Sequence, residues 1–166
     1  MLVTLNTDAS FCPETKCGGF AMWCASDKGR FKYSNRFREK PNSSHEAEVM
    51  AIINGIAAVL KKFENVNYII VNTDCKFAIA ILVNDRHYQR KNMGGSAKFK
   101  KYRRILGDVL LGKSIELEYR HVKAHTDITD ARTYVNDWCD RAAKWHMRVM
   151  RNEWQSSEPT PKLIET

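Results

Sequence analysis

The strongest constraint on the fold is the run of three strand-like segments at the start of the chain. Residues 2–8 (LVTLNTD) alternate between apolar and polar positions, and residues 18–26 and 30–37 are also typical of strands. The turn at 27–29 (Asp-Lys-Gly) is a hairpin signal between the second and third segments. These features predict an antiparallel meander of three strands.

Helices and strands alternate after this meander. The segment 41–44 (PNSS) is expected to break the chain and cap a helix that runs to about Lys62, with apolar residues on one face. The continuous apolar run 67–73 (NYIIVNT) predicts a buried strand. Further predictions are a helix at 75–82, a helix at 98–111, a strand at 115–121, a polar loop at 126–133 and a helix from Tyr134 to about Trp154. This order favours an α/β fold in which a mixed sheet is flanked by helices and the later strands run parallel.

The length and composition of the chain are those of an ordinary globular domain. It has 166 residues, of which 43% are hydrophobic. No apolar run approaches the roughly 20 residues that a membrane span needs, and residues 1–10 lack the pattern of a signal peptide. We therefore expect one globular domain at 1–154, a flexible tail at 155–166, and a cytoplasmic monomer with no membrane and no obligate protein partner.

The five cysteines do not indicate a disulfide framework. Their number is odd, and the sequence carries no secretory signal. Cys12 and Cys17 form the one close pair, and no neighbouring cysteine or histidine pair completes a zinc pattern. We interpret the thiols as buried side chains.

A basic segment points to a polyanionic partner. The chain has 27 Lys+Arg against 19 Asp+Glu, a formal charge of +8. Residues 86–104 contain eight basic side chains and no acidic one, with Tyr88, Phe99 and Tyr102 among them. Basic and aromatic side chains together suit phosphates and bases. A second basic stretch at 30–40 favours nucleic acid over a solvated charged face.

Acidic residues stand where predicted strands and helices meet. Asp8 ends the first strand, Asp74 ends the buried strand, Glu46 and Glu48 open the first long helix, and Asp137 and Asp140 open the last helix. Each one alone is typical of a helix cap or first turn. Together they indicate a site for Mg²⁺ or Mn²⁺, which prefer oxygen ligands, and a pair of such ions suits phosphodiester hydrolysis.

Periodicity decides only part of this set. Glu46 and Glu48 lie about 200° apart on a helix, on opposite flanks of the apolar face, so their spacing does not choose between them. On the last helix, Asp137 falls in the middle of the polar face, whereas Asp140 lies nearer the apolar edge. Asp140 is therefore the better candidate for a site that faces the sheet.

Five short motifs, in the right order over about residues 1–150, resemble the type 1 ribonuclease H family. They are Thr7-Asp8-Ala9-Ser10 for T-D-G-S, Ala47-Glu48-Val49-Met50-Ala51 for A-E-L-x-A, Thr73-Asp74-Cys75 for T-D-S, Val122-Lys123-Ala124-His125 for V-K-x-H, and Asn136 to Ala143 around Asp140 for N-x-x-x-D-x-x-A. This resemblance selects Glu48 over Glu46. It implies the five-stranded mixed sheet of that family. Residues 43–48 (SSHEAE) also resemble the ribonuclease H domains of retroelement reverse transcriptases.

The resemblance implies a role for each matching position. Asp8, Glu48, Asp74 and Asp140 would bind two Mg²⁺ ions, which Mn²⁺ can replace, and Asp8 would be shared by both. His125 would assist product release or proton transfer, a role that suits histidine because an imidazole ordinarily titrates near neutrality.

The implied partner is an RNA–DNA hybrid, whose RNA strand would be cleaved. The segment 86–104 resembles the family's basic protrusion, which grips the DNA strand. Residues at the start of the first helix would read 2′-hydroxyls. The candidate substrate contacts are Ser10, Asn42, Ser43, Ser44, Arg86, Arg90, Lys91, Lys98, Lys100 and Lys101.

Two other functions are compatible with such a fold. One is a non-catalytic nucleic-acid-binding module, which the presence of all four acidic positions disfavours. The other is a DNA-cutting nuclease of the ribonuclease H-like superfamily. Fold alone does not separate them.

Overall fold

The chain forms one mixed five-stranded sheet with helices on its faces. The computed structural model describes residues 1–95, 97–123 and 131–155. Its strands are β1 (Leu2–Phe11), β2 (Gly18–Ser26), β3 (Gly29–Arg36), β4 (Tyr68–Thr73) and β5 (Glu116–His121). Its helices are α1 (Ser44–Lys62), α2 (Lys76–Val83), α3 (Arg86–Met93), α4 (Lys100–Val109) and α5 (Ala131–Gln155).

The strand order is β3-β2-β1-β4-β5. The first three strands pair antiparallel, and β4 and β5 join them in parallel. This is the predicted topology, and it follows from the connections: a hairpin turn suffices between β2 and β3, whereas α1 carries the chain across the sheet to reach β4. The α/β fold and the mixed sheet are confirmed.

Alternation along β2 places α1 and α5 on opposite faces of the sheet. Met22 and Cys24 belong to the main core with α1, while Ala21 packs with Cys139 and Ala143 of α5. Successive side chains of a strand point to opposite faces of the sheet, so α1 and α5 cover different faces. None of the helices in the described part of the chain combines the length and apolar character that a membrane crossing requires.

A buried glutamine braces the start of the basic segment. Gln89 is fully buried, and its Nε2 donates to the carbonyl oxygens of Ala80 (3.2 Å) and Asp85 (3.1 Å). Asn84 ends α2 in the left-handed region with φ 57°, and Asp85 caps α3. Gly94, at φ 73°, ends α3. The basic segment is therefore two helices held at a fixed junction with α2.

Two predicted boundaries were wrong, and both concern acidic residues. β1 continues to Phe11, so Asp8 lies inside the strand rather than at its end. α5 begins at Ala131 rather than Tyr134, so Asp137 and Asp140 lie in its second and third turns rather than opening it. The threonines and aspartates of 126–133 suggested a loop, but the helix-forming residues at 131–132 extend the helix. Residues 124–130 and 156–166, which include part of the predicted loop and nearly all of the tail, lie outside the described residues.

Candidate active site

The ends of β1 and β4 bring two aspartates together. The parallel pairing of these strands stops at Asn6 and Asn72, so Asp8 extends beyond β4 just where the chain leaves the sheet at Asp74. Glu48 reaches the same point from the second turn of α1. One carboxylate oxygen from each of Asp8, Glu48 and Asp74 lies within 4.8 Å of the others, and all three residues are partly buried.

One backbone amide orients two of these carboxylates. The N–H of Ala9 donates to Asp8 Oδ1 over 3.0 Å and to Glu48 Oε1 over 3.2 Å. The second oxygen, Glu48 Oε2, is buried and has no hydrogen-bond partner among the described residues. A buried carboxylate oxygen without a partner is costly unless a cation satisfies it.

The carboxyl groups of the cluster have raised pKa values. Burial, followed by the charges of Asp74 and Asp140, raises the pKa of Asp8 from 3.8 to about 7. Burial, followed by the charges of Asp8 and Asp74, raises the pKa of Glu48 well above its ordinary value. Ionised carboxylates at this distance repel one another, and a divalent cation bound between them offsets that repulsion, while their oxygens are ligands that suit Mg²⁺ or Mn²⁺. The residues present therefore fit a divalent cation.

Asp140 approaches this cluster from α5 on the opposite face of the sheet. It contributes to the raised pKa of Asp8, so its charge lies close to that carboxyl group. Its Oδ2 forms an ion pair with Lys144 Nζ at 3.0 Å, and it is not part of the three-residue group within 4.8 Å. Asp137 is exposed, in agreement with its predicted place on the polar face of the helix. It forms an ion pair with Arg141 at 2.9 Å.

Glu46 points away from the three carboxylates. Its backbone N–H donates to the hydroxyl of Ser43, which caps α1, over 3.2 Å. The Tyr102 hydroxyl of α4 donates to Glu46 Oε1. Glu46 therefore joins α1 to the basic segment, whereas Glu48 faces Asp8.

The metal-free protein should lose stability as the pH rises from about 4 to 7. Over this range the folded protein retains a proton on Asp8 that the unfolded chain releases, so the free energy of unfolding falls with increasing pH. The contribution is on the order of 4 kcal/mol, and Asp8→Asn should remove it. Denaturant unfolding in a chelator at several pH values measures it.

The same change at Asp137 is the control for this measurement. Asp137 is exposed, so Asp137→Asn should leave the pH dependence as in the wild type. Adding Mg²⁺ at pH 7 should restore stability to the wild type more than to Asp8→Asn, because a ligand that binds the folded state stabilises it. Identical pH slopes for the wild type and Asp8→Asn would contradict the assignment.

Two grooves lie at the start of α1, with His45 in the lining of both. One, of about 490 Å³, lies between the start of α1 and the basic segment, and its lining includes Asn42, Ser43, Lys98 and Lys101. The other, of about 400 Å³, is lined by Glu48 and Asp74 together with Ser44, His45, Phe77, Tyr88 and His121. The second groove gives access from solvent to the carboxylates.

The predicted substrate contacts differ in their exposure and in their position relative to these grooves. Ser10 is partly buried in β1, two residues after Asp8 and hence on the same face of the sheet. The Ser43 hydroxyl is already engaged as the helix cap. The remaining basic candidates are exposed on α3 and α4: Arg86, Arg90, Lys91 and Lys100. His125 lies outside the described residues.

Two histidines lie beside the cluster: His45, at the start of the helix where contacts to 2′-hydroxyls were expected, and His121, which was not predicted. His45 stacks on Phe77 with ring centroids 4.0 Å apart. His121, at the end of β5, donates from Nε2 to the carbonyl oxygen of Asp74 over 3.2 Å. The signal for His121 was available, because two parallel strands ending at residues 73 and 121 place it beside Asp74.

Comparisons with known proteins agree with the family resemblance and with the fold. A family model described as RNase H matches residues 2–148. Comparison with curated protein sequences finds no match. Among solved structures, the chain is similar to the N-terminal RNase H domain of a Mycobacterium tuberculosis protein, with a TM-score of 0.67 and 12% identity over 92% of this chain and 98% of that one.

Two other solved structures are informative. LC11 RNase H1, determined in complex with an RNA/DNA hybrid, has a TM-score of 0.60 and 13% identity over 88% of this chain and 96% of that one. The RNase H domain of prototype foamy virus has a TM-score of 0.60 and 19% identity, covering 89% and 94% of the two chains. At these identities the likeness establishes the fold.

Proposed function

This chain belongs to the ribonuclease H family, and we propose that it is an endonuclease that hydrolyses the RNA strand of RNA–DNA hybrids by two-metal-ion catalysis. The observation that carries the proposal is the meeting of Asp8, Glu48 and Asp74 around a buried carboxylate oxygen that has no hydrogen-bond partner in the described part of the chain. The hybrid bound to LC11 RNase H1 supports the choice of substrate. We assign residues 1–154 to the catalytic domain.

The proposed ligands of two Mg²⁺ ions are Asp8, Glu48, Asp74 and Asp140, with Asp8 shared, and Mn²⁺ can substitute. Bound there, the cations supply a lowered pKa for the attacking water and positive charge for the phosphate. The chain itself holds the carboxylates in place: the N–H of Ala9 fixes the oxygens of Asp8 and Glu48. His121 fixes the backbone at Asp74.

The substrate is proposed to lie across the two grooves at the start of α1. The RNA strand would contact Ser10 and the start of α1 at Asn42, Ser43 and Ser44. The exposed basic side chains of α3, of α4 and of the short turn between them would hold DNA phosphates: Arg86, Arg90, Lys91, Lys98, Lys100 and Lys101. We keep His125 as the proposed group for product release.

A non-catalytic binding module is the weaker alternative. Such a module would have no use for carboxylates that are partly buried and raise one another's pKa values, since that arrangement costs stability. A nuclease that cuts DNA would use the same cluster. Substrate preference, rather than the cluster, separates that alternative from our proposal.

A cleavage assay on matched substrates tests the proposal. The same sequence is offered as RNA–DNA hybrid, duplex DNA, duplex RNA and both single strands, with Mg²⁺, with Mn²⁺ and with a chelator. We expect cuts within the RNA strand of the hybrid, in the presence of either cation and not in the chelator. Cleavage of duplex DNA at an equal rate, or binding of the hybrid without any cleavage, would refute it.

A further inference from the structure

The outer face of α5 has a row of aromatic and basic side chains. Cys139, Ala143 and Met147 are buried and define the face of the helix that packs on the sheet. At about 100° for each residue, five side chains lie within about 40° of the direction opposite Ala143. They are three aromatic residues and two arginines, which we call the α5 stripe: Tyr134, Trp138, Arg141, Trp145 and Arg148.

Two aromatic rings of the α5 stripe are open to solvent. Tyr134 is 59% exposed and Trp145 is 55% exposed. Their positions differ by 11 residues, which corresponds to about 16 Å along the helix axis. Large aromatic side chains are mostly buried in folded proteins, and a row of them on one solvent-facing helix surface is typical of a binding site.

A lysine of the neighbouring strand β3 fixes the middle of the α5 stripe. Lys32 Nζ lies 5.1 Å from the ring centroid of Trp23 and 4.9 Å from that of Trp138, and the two indoles meet edge to face at 5.6 Å. Trp23 also meets Tyr134 edge to face at 5.7 Å. Trp138 is therefore held in place and partly covered, which leaves Tyr134 and Trp145 as the open rings.

The charge around the α5 stripe is positive. Arg148, Lys32 and Arg30 are exposed and form no ion pair with any carboxylate of the described residues. Arg30 and Lys32 are two positions apart on β3, so both point to the face of the sheet that α5 covers. Arg141 is neutralised by Asp137. Unpaired cations thus flank the two open rings, and their charge suits an anionic ligand.

We propose that the α5 stripe binds single-stranded nucleic acid, with bases stacked on Tyr134 and Trp145 and phosphates held by the neighbouring cations. Aromatic rings spaced along a cationic surface suit a single strand, because its unpaired bases expose their flat faces. A double helix fits poorly, since its bases already stack on one another. The span of about 16 Å corresponds to roughly four nucleotides, at the lower end of the lengths that single-strand-binding domains cover.

The α5 stripe is separate from the surface proposed for the hybrid. It shares no residue with the two grooves at the start of α1, and α5 covers the opposite face of the sheet from α1. Trp145 follows Asp140 by five residues, about 7.5 Å along the helix axis, so the stripe passes the level of the candidate active site. Binding of a single strand here does not require the proposed nuclease activity.

A second copy of this chain fits the α5 stripe poorly. The chain has a formal charge of +8, and all three acidic residues of α5 are already in ion pairs. Lysine is depleted at protein interfaces, whereas Lys32 lies directly over the Trp138 ring. Single-stranded nucleic acid supplies both the negative charge and the flat rings that this surface suits.

Fluorescence anisotropy with labelled oligonucleotides tests the proposal on the full chain. The probes are oligothymidylate and oligouridylate of about 12 nucleotides, offered in a chelator that prevents cleavage. We expect saturable binding below about 0.1 mM that weakens as the salt concentration rises. The two probes distinguish DNA from RNA as the preferred strand, and binding of either supports the proposal. Absence of saturable binding of both overturns it.

Matched variants locate the binding. Tyr134→Ala with Trp145→Ala should weaken probe binding at least about tenfold, whereas Tyr134→Phe with Trp145→Phe keeps both rings and should stay within about threefold of the wild type. Trp145→Ala alone leaves the contact between Tyr134 and Trp23 in place and should already weaken binding about fivefold. The control removes two exposed apolar side chains outside the stripe, Tyr33→Ala with Leu111→Ala, and should leave the affinity within about twofold. Circular dichroism checks the folding of each variant.

Three results would assign the single strand or the stripe elsewhere and overturn the proposal. One is probe binding that the alanine variants leave unchanged and that Lys100→Glu with Lys101→Glu abolishes, which would place the strand on the basic segment. Another is an equal loss of affinity for a blunt-ended hybrid in the alanine variants. The third is a dimer in sedimentation experiments that these variants dissociate. Failure of hybrid cleavage by the wild type would instead refute the nuclease assignment and leave the single-strand measurement standing.

Discussion

Replacing Asp8 by asparagine should lower the rate of hybrid cleavage about a thousandfold or more while the fold is retained. Asparagine has nearly the same shape, and its side-chain oxygen can still accept the hydrogen bond that the Ala9 N–H donates to Asp8. The variant loses the charge that draws divalent cations between Asp8, Glu48 and Asp74. Single-turnover cleavage at saturating Mg²⁺, with circular dichroism as a check on folding, measures the effect.

The matched control is Asp137→Asn, which removes the same charge from an exposed residue of α5. Asp137 pairs only with Arg141 among the ion pairs of the described residues, so its loss should change the cleavage rate by less than about twofold. Asp8→Asn should bind the hybrid as tightly as the wild type or more tightly, because one repulsive charge near the phosphates is gone. Cleavage by Asp8→Asn within about tenfold of the wild type would exclude the shared-ligand role.

The choice between Glu46 and Glu48 shows where sequence reasoning stops. Both lie in the first two turns of α1, on opposite flanks of its apolar face, and periodicity treats them alike. The difference arises from what each flank meets: Glu48 meets β1 at Asp8, and Glu46 meets Tyr102 of α4. That information resides in tertiary packing, and only the resemblance to a family could supply it in advance.

The sheet could be predicted because local sequence patterns indicate its strands. The alternation of the first strand, the turn at 27–29 and the apolar run at 67–73 correspond to β1, the β2–β3 connection and β4. Placing Asp8 beside Asp74 then follows from the parallel pairing of β1 with β4. Asp140 was favoured by its place near the apolar edge of its helix, even though the start of that helix was assigned too late.

Packing contacts between distant elements could not be predicted from the sequence. Gln89 looks like an ordinary polar residue in a basic segment, yet it is fully buried because three acceptors at the α2–α3 junction surround its amide: the Ala80 and Asp85 carbonyl oxygens and Asn84 Oδ1. A groove between α1 and β3 could not be predicted either, since its lining comes from three separate stretches of chain: residue 20, residues 31–39 and residues 50–62. Local patterns report which face is buried, and not what covers it.

Gly19→Ala should destabilise the protein by about 3 kcal/mol. An ideal Cβ at Gly19 of β2 would lie 2.4 Å from the carbonyl oxygen of Ala143 and 2.7 Å from the backbone nitrogen of Met147. Both obstacles are backbone atoms of α5, so the whole helix must move away from the sheet rather than a single side chain turning aside. Denaturant unfolding at pH 7 with Mg²⁺ present measures the change.

Gly107→Ala is the control that separates this contact from the general effect of replacing glycine. Gly107 lies within α4, and an added Cβ would meet nothing within 4 Å, so alanine should stabilise the protein by up to about 1 kcal/mol. Because α5 carries Asp140, Gly19→Ala should also slow cleavage, and additional Mg²⁺ should recover part of the lost rate. A stability equal to that of the wild type for Gly19→Ala would mean that α5 does not approach β2 as closely as the structure shows, and the position of Asp140 beside Asp8 would have to be revised with it.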